Sequence, residues 1–283
     1  MVEPPPPPQP QCWLWNGLDL EACEGIPMSD RGFRYGMSVF ESVRVIDGRV
    51  DFLPEHLASI SEAAGRKQFQ FARESLERVG PLLRRISGSA FARIYITAGD
   101  GPPQAPATNC RVALICERRE RVLPDAYSVV FQQGTYRNEL ENLKTGNYWP
   151  NITALSGAVK LGANEALLLN SHDRLVGCAM ANVFLKIRGR WCTPCPEDGA
   201  RRGVVREWAK AAIEAHSQSI SRKEIDAASE LFLTSSWIGV MPVTSLEGRS
   251  LERSAEIEDL RARLERFCAD RSEEPAASTR SSP

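Results

Sequence analysis

The residue best suited to covalent chemistry is Lys144, which stands just before the segment Gly146-Asn147-Tyr148-Trp149-Pro150. That segment leads into an apolar helical pattern, so the lysine could lie against packed structure. A buried lysine loses the hydration of its charged form, and the fall in its pKa leaves a neutral amine that attacks aldehydes. This is the chemistry of a Schiff base. Most lysines are surface charges, so a solvated side chain is the alternative that the residues alone leave open.

Other motifs with a known catalytic mechanism are missing. The sequence has no GxGxxG, no Walker loop and no nucleophile elbow, and its three histidines are scattered. Cys192 and Cys195 form a lone CTPC without a second pair at zinc-finger spacing, and two small core residues are the simpler interpretation. We therefore expect no metal site.

The composition excludes several classes of partner. The 283 residues include 35 basic and 36 acidic ones, and a net charge of -1 leaves no footprint for a nucleic acid or an anionic membrane. No apolar run approaches the ~20 residues of a membrane span, and the N-terminus lacks the pattern of a signal peptide. Eight cysteines in a chain of this length are typical of a reduced, cytoplasmic protein.

The order of predicted elements indicates an α+β fold with mixed sheets. In the first half we expect helices from Pro54 and over 73–86, and strands over 13–15, 39–45, 50–53, 91–97 and 111–116. In the second half we expect helices over 150–161, 203–215 and 253–267, and strands over 165–169, 182–187, 231–234 and 240–244.

The chain is predicted to contain two α+β domains between two disordered ends. A proline tract marks residues 1–11 as a disordered lead, and a polar stretch without aromatic residues marks 269–283 as a disordered tail. Between them we place an N-terminal domain over 12–133 and a C-terminal domain over 134–268, which carries Lys144.

A series of collinear motifs over residues 13–266 resembles the class IV aminotransferases. These are the fold-type IV enzymes of pyridoxal 5'-phosphate (PLP), which include branched-chain and D-amino-acid aminotransferases and 4-amino-4-deoxychorismate lyase. Each motif is weak alone, but their shared order is specific. The matching stretches are Ser29-Asp30-Arg31-Gly32-Phe33-Arg34-Tyr35-Gly36, Val39-Phe40-Glu41, Leu53-Pro54-Glu55-His56-Leu57, Tyr95-Ile96-Thr97, Leu143-Lys144-Thr145-Gly146-Asn147, Gly162-Ala163-Asn164-Glu165-Ala166, Ala181-Asn182-Val183-Phe184, Thr193-Pro194, Gly203-Val204-Val205-Arg206 and Val240-Met241-Pro242-Val243.

The resemblance implies a two-domain fold-type IV architecture, a homodimer and PLP as the cofactor. Lys144 would be the Schiff-base lysine and would also carry the proton between substrate and cofactor. The cofactor phosphate would lie at Gly203, Val204 and Val205, where a helix N-terminus attracts anions. Ser235 and Ser236 stand at the family's other phosphate-contacting turn, although capping a strand end explains them equally well.

The sequence departs from the family pattern at three places. Ser59 replaces the arginine that grips the phosphate, a charge that Arg201 or Arg202 could restore unless both are simply solvated. Gly177 replaces the glutamate that keeps the pyridine nitrogen protonated, and residues 175–181 contain no acid. Asp100 lies in the loop where relatives often carry an arginine, and it would repel a substrate carboxylate unless it is paired.

Two interpretations follow for the function. The first is a PLP-dependent aminotransferase or aminodeoxychorismate-lyase-like enzyme that acts on an amino-acid-like substrate with an eroded cofactor site. The second is a degenerate, non-catalytic homodimeric paralogue that binds PLP weakly or not at all. The sequence chooses neither between aminotransferase and lyase nor among substrates.

Overall fold

The first sheet is antiparallel throughout and is built from the first part of the chain. The computed structural model describes residues 10–136 and 142–271. Strand alternation places apolar residues of the long strands β3, β5 and β6 on the face covered by helix α2. The order is β2-β1-β6-β5-β3-β4, with β1 at Gln11–Trp15, β2 at Leu20–Ala22, β3 at Ser38–Ile46, β4 at Arg49–Val50, β5 at Ser89–Thr97 and β6 at Arg111–Arg118; α2 is Leu53–Arg66.

The helices of this half begin and end for local reasons. α1 (Arg31–Tyr35) was not predicted; it begins where the Asp30 carboxylate accepts a hydrogen bond from the Gly32 amide. The single helix expected over 73–86 is wrong, because two short helices, α3 (Glu74–Glu77) and α4 (Val79–Leu83), replace it. Pro81 has no amide proton for the carbonyl four residues earlier, which is consistent with the break.

The second sheet is mixed and contains nine strands, in the order β12-β11-β10-β13-β14-β7-β8-β9 with β15 paired to β14. β7 runs parallel to both β14 and β8, and β11 runs parallel to β12. The strands are β7 Tyr127–Phe131, β8 Glu165–Leu169, β9 Leu175–Cys178, β10 Asn182–Ile187, β11 Arg190–Pro194, β12 His216–Gln218, β13 Glu230–Ser235, β14 Gly239–Leu246 and β15 Arg249–Ser250. The helices are α5 Trp149–Lys160, α6 Val204–Ala212, α7 Arg222–Asp226 and α8 Ala255–Asp270.

The two α+β halves confirm the predicted fold class, although only the second sheet is mixed, because every pair in the first is antiparallel. α5 ends as expected beside Gly162, which has a φ of +75°. The predicted domain limits remain a proposal, and β7 argues for a boundary before Tyr127 because this strand pairs only with strands of the second sheet. α8 extends through Asp270 into the expected tail, whereas 1–9 and 272–283 lie outside the described residues. No helix within the described part is long and apolar enough to cross a membrane.

A buried arginine ties the first sheet to the last helix. Arg44 of β3 is 1% exposed and pairs with Asp51, and its two terminal nitrogens reach Glu265 of α8 at 2.9 and 3.1 Å. Removing one partner of a buried pair leaves the other charge desolvated.

We expect Arg44→Ala to lower the free energy of unfolding by about 3 kcal/mol in urea titrations. This is the lower end of the usual range, because Arg49 stays on Asp51 at 3.0 Å. Arg253→Ala is the matched control, since it breaks pairs with Asp125 and Glu258 at the surface and should barely shift the urea midpoint. Equal losses in both variants would contradict the role given to Arg44.

Candidate active site

All of the predicted site residues line one cavity. This first cavity has a volume of about 440 Å³, and its walls include Lys144, Gly203, Val204, Val205, Ser235 and Ser236. A second cavity of about 850 Å³ has eight aromatic residues in its lining and shares Lys144, Ser235 and Ser236 with the first. Lys144 therefore stands at the junction of two spaces, one next to a helix N-terminus and one of aromatic character.

Backbone pairing with β3 holds Lys144 in place. The Phe40 amide donates to the Lys144 carbonyl at 2.8 Å, and the Gly146 amide donates to the Ser38 carbonyl at 3.0 Å. A Cβ on Gly146 would lie 2.5 Å from the Ser38 Oγ, so only glycine permits this close approach. The Lys144 Nζ lies 4.9 Å from the centroid of the Phe40 ring.

The environment of Lys144 favours the neutral amine. Its pKa is lowered to about 7, first by burial and then by the positive charge of Arg201, against the opposing effect of Glu41. At neutral pH about half of the molecules then carry an unprotonated amine, the form that attacks an aldehyde.

The N-terminus of α6 forms the opposite wall. Gly203 is its N-cap and no side chain caps the helix there. A Cβ on Gly203 would lie 2.2 Å from the Asn182 Oδ1, so the strand and the helix approach each other closely at this point. Free amides at a helix N-terminus attract an anion such as a phosphate.

A hydrogen-bonded cluster centred on Glu41 lies at the edge of this wall. Glu41 accepts hydrogen bonds from Ser59 Oγ at 2.9 Å and from an Arg201 guanidinium nitrogen, and its other oxygen lies 2.9 Å from His56 Nδ1. His56 Nε2 is 3.1 Å from Ser236 Oγ. Burial alone would raise the pKa of Glu41, but Arg201 and His56 hold it well below its usual range.

The structure separates the two arginines proposed as substitutes for Ser59. Arg201 lines the first cavity and pairs with Glu41. Arg202 is exposed, as expected of a solvated residue.

Gly177 leaves an open place in the cavity wall. It lies in β9 opposite Leu168, and a Cβ added to it would meet nothing nearer than the Ala181 carbonyl at 3.5 Å. Among the described residues, no aspartate or glutamate lines the first cavity.

Asp100 is paired, which is the exception under which no repulsion of a substrate carboxylate was expected. It accepts hydrogen bonds from Ser29 at 2.7 Å and from Arg111, which also binds the buried Asp30 at 2.8 Å. Arg31 holds the rest of the loop by donating to backbone carbonyls, including that of Ala105 at 2.7 Å.

Sequence reasoning missed several residues of the second cavity. Phe91, Arg93 and Tyr95 alternate along β5 and face this space together. The alternation of these residues in the sequence could have shown that they share one face of the strand. Arg93 is the positively charged residue among the three. Arg93 pairs with Glu117 at 2.8 Å and is close enough to lower the pKa of Lys144.

Glu165 is a second missed residue, and it also lines the second cavity. Burial raises its pKa to about 7, although the amides of Ala166 and Met180 each donate a hydrogen bond to it at 3.0 Å. Glu165 lies in the family-like stretch Gly162-Ala163-Asn164-Glu165-Ala166, but no role of its own was predicted for it from the sequence.

The cysteines form no site. All eight are free; Cys192 is buried and Cys195 is half-buried. Within residues 10–136 and 142–271, no group of histidine, cysteine, aspartate or glutamate side chains is placed to hold a metal ion.

A sequence model of amino-transferase class IV matches residues 38–246. The chain belongs to this family. The D-alanine aminotransferase of Bacillus licheniformis is 22% identical over 264 residues, 86% of this chain and 90% of that protein. These findings confirm the resemblance drawn from the motifs, and the cofactor of the family is PLP.

Solved structures confirm the fold-type IV architecture. The branched-chain aminotransferase of Thermoproteus uzoniensis superposes with a TM-score of 0.81 at 20% identity, covering 93% of this chain and 96% of that one. A protein of Legionella pneumophila assigned as a 4-amino-4-deoxychorismate lyase gives 0.79 at 21% identity, covering 87% and 96%. At these identities the likeness establishes the class IV fold and leaves the substrate open.

Proposed function

We propose that this class IV protein is a PLP-dependent enzyme that acts on an amino-acid-like substrate. The observation that carries the proposal is the position of Lys144. Its amine lies at the junction of the two cavities and has a pKa of about 7.

The residues of the first cavity fit PLP. Lys144 would bind the cofactor covalently, and the uncapped N-terminus of α6 at Gly203 would hold the phosphate. Val204 and Val205 supply further amides there, and Ser235 and Ser236 line the same space. When bound, PLP supplies the electron sink that stabilises negative charge at the substrate α-carbon.

Lys144 is the group that moves the proton. In the enzyme with PLP bound, its free amine would accept a proton at Nζ from the substrate α-carbon and return it to the cofactor. A pKa near 7 suits this exchange, because both protonation states are populated at neutral pH.

The second cavity supports a substrate with a carboxylate and an apolar part. Arg93 is a cation among the residues of its wall and can pair with a carboxylate. Phe40, Tyr95 and Trp237 offer apolar surface around it. Both an aminotransferase and an aminodeoxychorismate-type lyase fit this space, so turnover of D-alanine, branched-chain amino acids and aminodeoxychorismate must decide.

We also propose a homodimer. Large apolar side chains remain exposed near the mouths of the cavities, with Phe33 at 62% and Trp149 at 80% exposed. Both residues line a cavity, so a second copy covering them would also enclose the site.

Ser59 and Gly177 make the cofactor site weaker than the family pattern. A lost charge at the phosphate and a lost carboxylate at the ring nitrogen both oppose catalysis. They favour the second candidate, a paralogue that keeps the fold and binds PLP weakly or not at all.

The test is to incubate the purified protein with PLP, reduce it with borohydride and map the adduct by peptide mass spectrometry. We expect a visible absorption band before reduction and one phosphopyridoxyl group on Lys144 afterwards. Protein that stays colourless at saturating PLP, with no adduct on Lys144, would favour the degenerate paralogue.

A further inference from the structure

We propose that Arg201 supplies the positive charge that binds the cofactor phosphate, in place of the arginine that Ser59 lacks. This inference rests on the proposed function. The candidate differs from the pattern of the family, because the charge would come from the loop before α6 in the second half of the chain rather than from α2.

The guanidinium of Arg201 lies against the N-terminus of α6. Its Nη1 is 3.7 Å from the place a Cβ would take on Gly203. The Arg201 carbonyl accepts a hydrogen bond from Asn182 Nδ2 at 2.8 Å, which anchors the loop. A charge here adds to the attraction of the free helix amides for an anion.

One terminal nitrogen of the Arg201 guanidinium binds a protein carboxylate and the other can bind a ligand. Nη2 binds Glu41. Among the described residues, Nη1 donates no hydrogen bond to a protein atom, so it can donate to a phosphate oxygen in the first cavity. Glu41 thus orients the Arg201 guanidinium while leaving Nη1 free to donate a hydrogen bond.

Ser59 makes this arrangement possible. Its hydroxyl donates to the same Glu41 oxygen that Arg201 binds. An arginine at position 59 would compete for Glu41 and would place a second cation beside Arg201. The small side chain at 59 and the cation at 201 therefore form a matched pair, with the charge moved from one wall of the site to the other.

The experiment compares PLP with pyridoxal, which lacks the phosphate, in equilibrium titrations followed by absorption. For Arg201→Gln we expect the dissociation constant of PLP to rise roughly tenfold to a hundredfold, the range for one charge-assisted hydrogen bond. The affinity for pyridoxal should fall less than that for PLP, because it loses no phosphate contact and changes only through the rise in the Lys144 pKa that follows removal of the Arg201 charge. Arg202→Gln is the matched control and should leave both affinities unchanged, because Arg202 is exposed.

A rescue variant tests the swap directly. Ser59→Arg combined with Arg201→Gln should recover most of the lost PLP affinity, as the charge returns from α2. An unchanged PLP affinity in Arg201→Gln would overturn the inference, and so would equal losses for PLP and pyridoxal, which would show a structural role. If the wild-type protein binds neither compound, the proposed function fails and not merely this assignment.

Discussion

The Lys144→Ala variant should form no borohydride-stable PLP adduct at position 144 and should lose the visible absorption band at every pH. The variant keeps the cavity and the α6 N-terminus, so non-covalent PLP binding can persist. The substitution removes the amine together with the three methylenes that carry it, and no other lysine lines either cavity among the described residues. Adduct formation measured by mass spectrometry should fall to background, while urea unfolding should remain similar to that of the wild type.

The same reaction in the wild-type protein should show the lowered pKa of Lys144. Loss of the ammonium proton is what permits attack, so capture should rise with pH until about 7 and then level off. Nα-acetyl-lysine in the same vessel has a pKa near 10.4 and should keep reacting faster through pH 9.

The ratio of the two adducts separates this effect from any ionisation of PLP itself. The ratio of protein to model adduct should be constant below pH 7 and fall about tenfold per pH unit above it. A ratio that stays flat up to pH 9 would mean that Lys144 has an ordinary pKa and that the site does not activate it.

The sequence predicted those helices and strands whose limits are set by residues nearby in the chain. β3 and β5 follow from alternation, and α5 follows from Pro150 at its first turn and Gly162 at its end. β7 and β9 were not predicted, because strands of five and four residues are too short for alternation to identify them. Their identity depends on the partner strands of the second sheet, which no local window contains.

The candidate site was predictable to the extent that it follows family motifs. Lys144 and the α6 turn could be placed by resemblance, and the geometry brings them to one cavity. The pairing of Glu41 with Arg201 joins residues 160 positions apart, so it emerged only from the fold. That pairing distinguishes Arg201 from Arg202, which are adjacent and chemically identical in the sequence.

Gly177→Glu is expected to speed the reaction rather than damage it. The family carries a glutamate at this place, and a carboxylate beside the pyridine nitrogen favours its protonated form by about one to three pKa units. A protonated ring withdraws electrons more strongly, so single-turnover rates with the wild-type's best amino acid should rise on the order of tenfold to a hundredfold. The wall has room, since a Cβ meets only the Ala181 carbonyl at 3.5 Å.

Two controls separate charge from backbone effects at position 177. Gly177 has a φ of +157°, bordering extended backbone, so any side chain requires a small adjustment of the strand. Gly177→Ala tests the adjustment of the strand alone, because alanine adds no polar group. Gly177→Gln adds a side chain as long as that of glutamate but without its charge. We expect neither to accelerate the reaction. An equal gain in Gly177→Gln would show that the negative charge is not the cause. A lower rate in all three variants would show that this strand cannot accept a side chain. The backbone at position 177 would then be incompatible with the glutamate of the family.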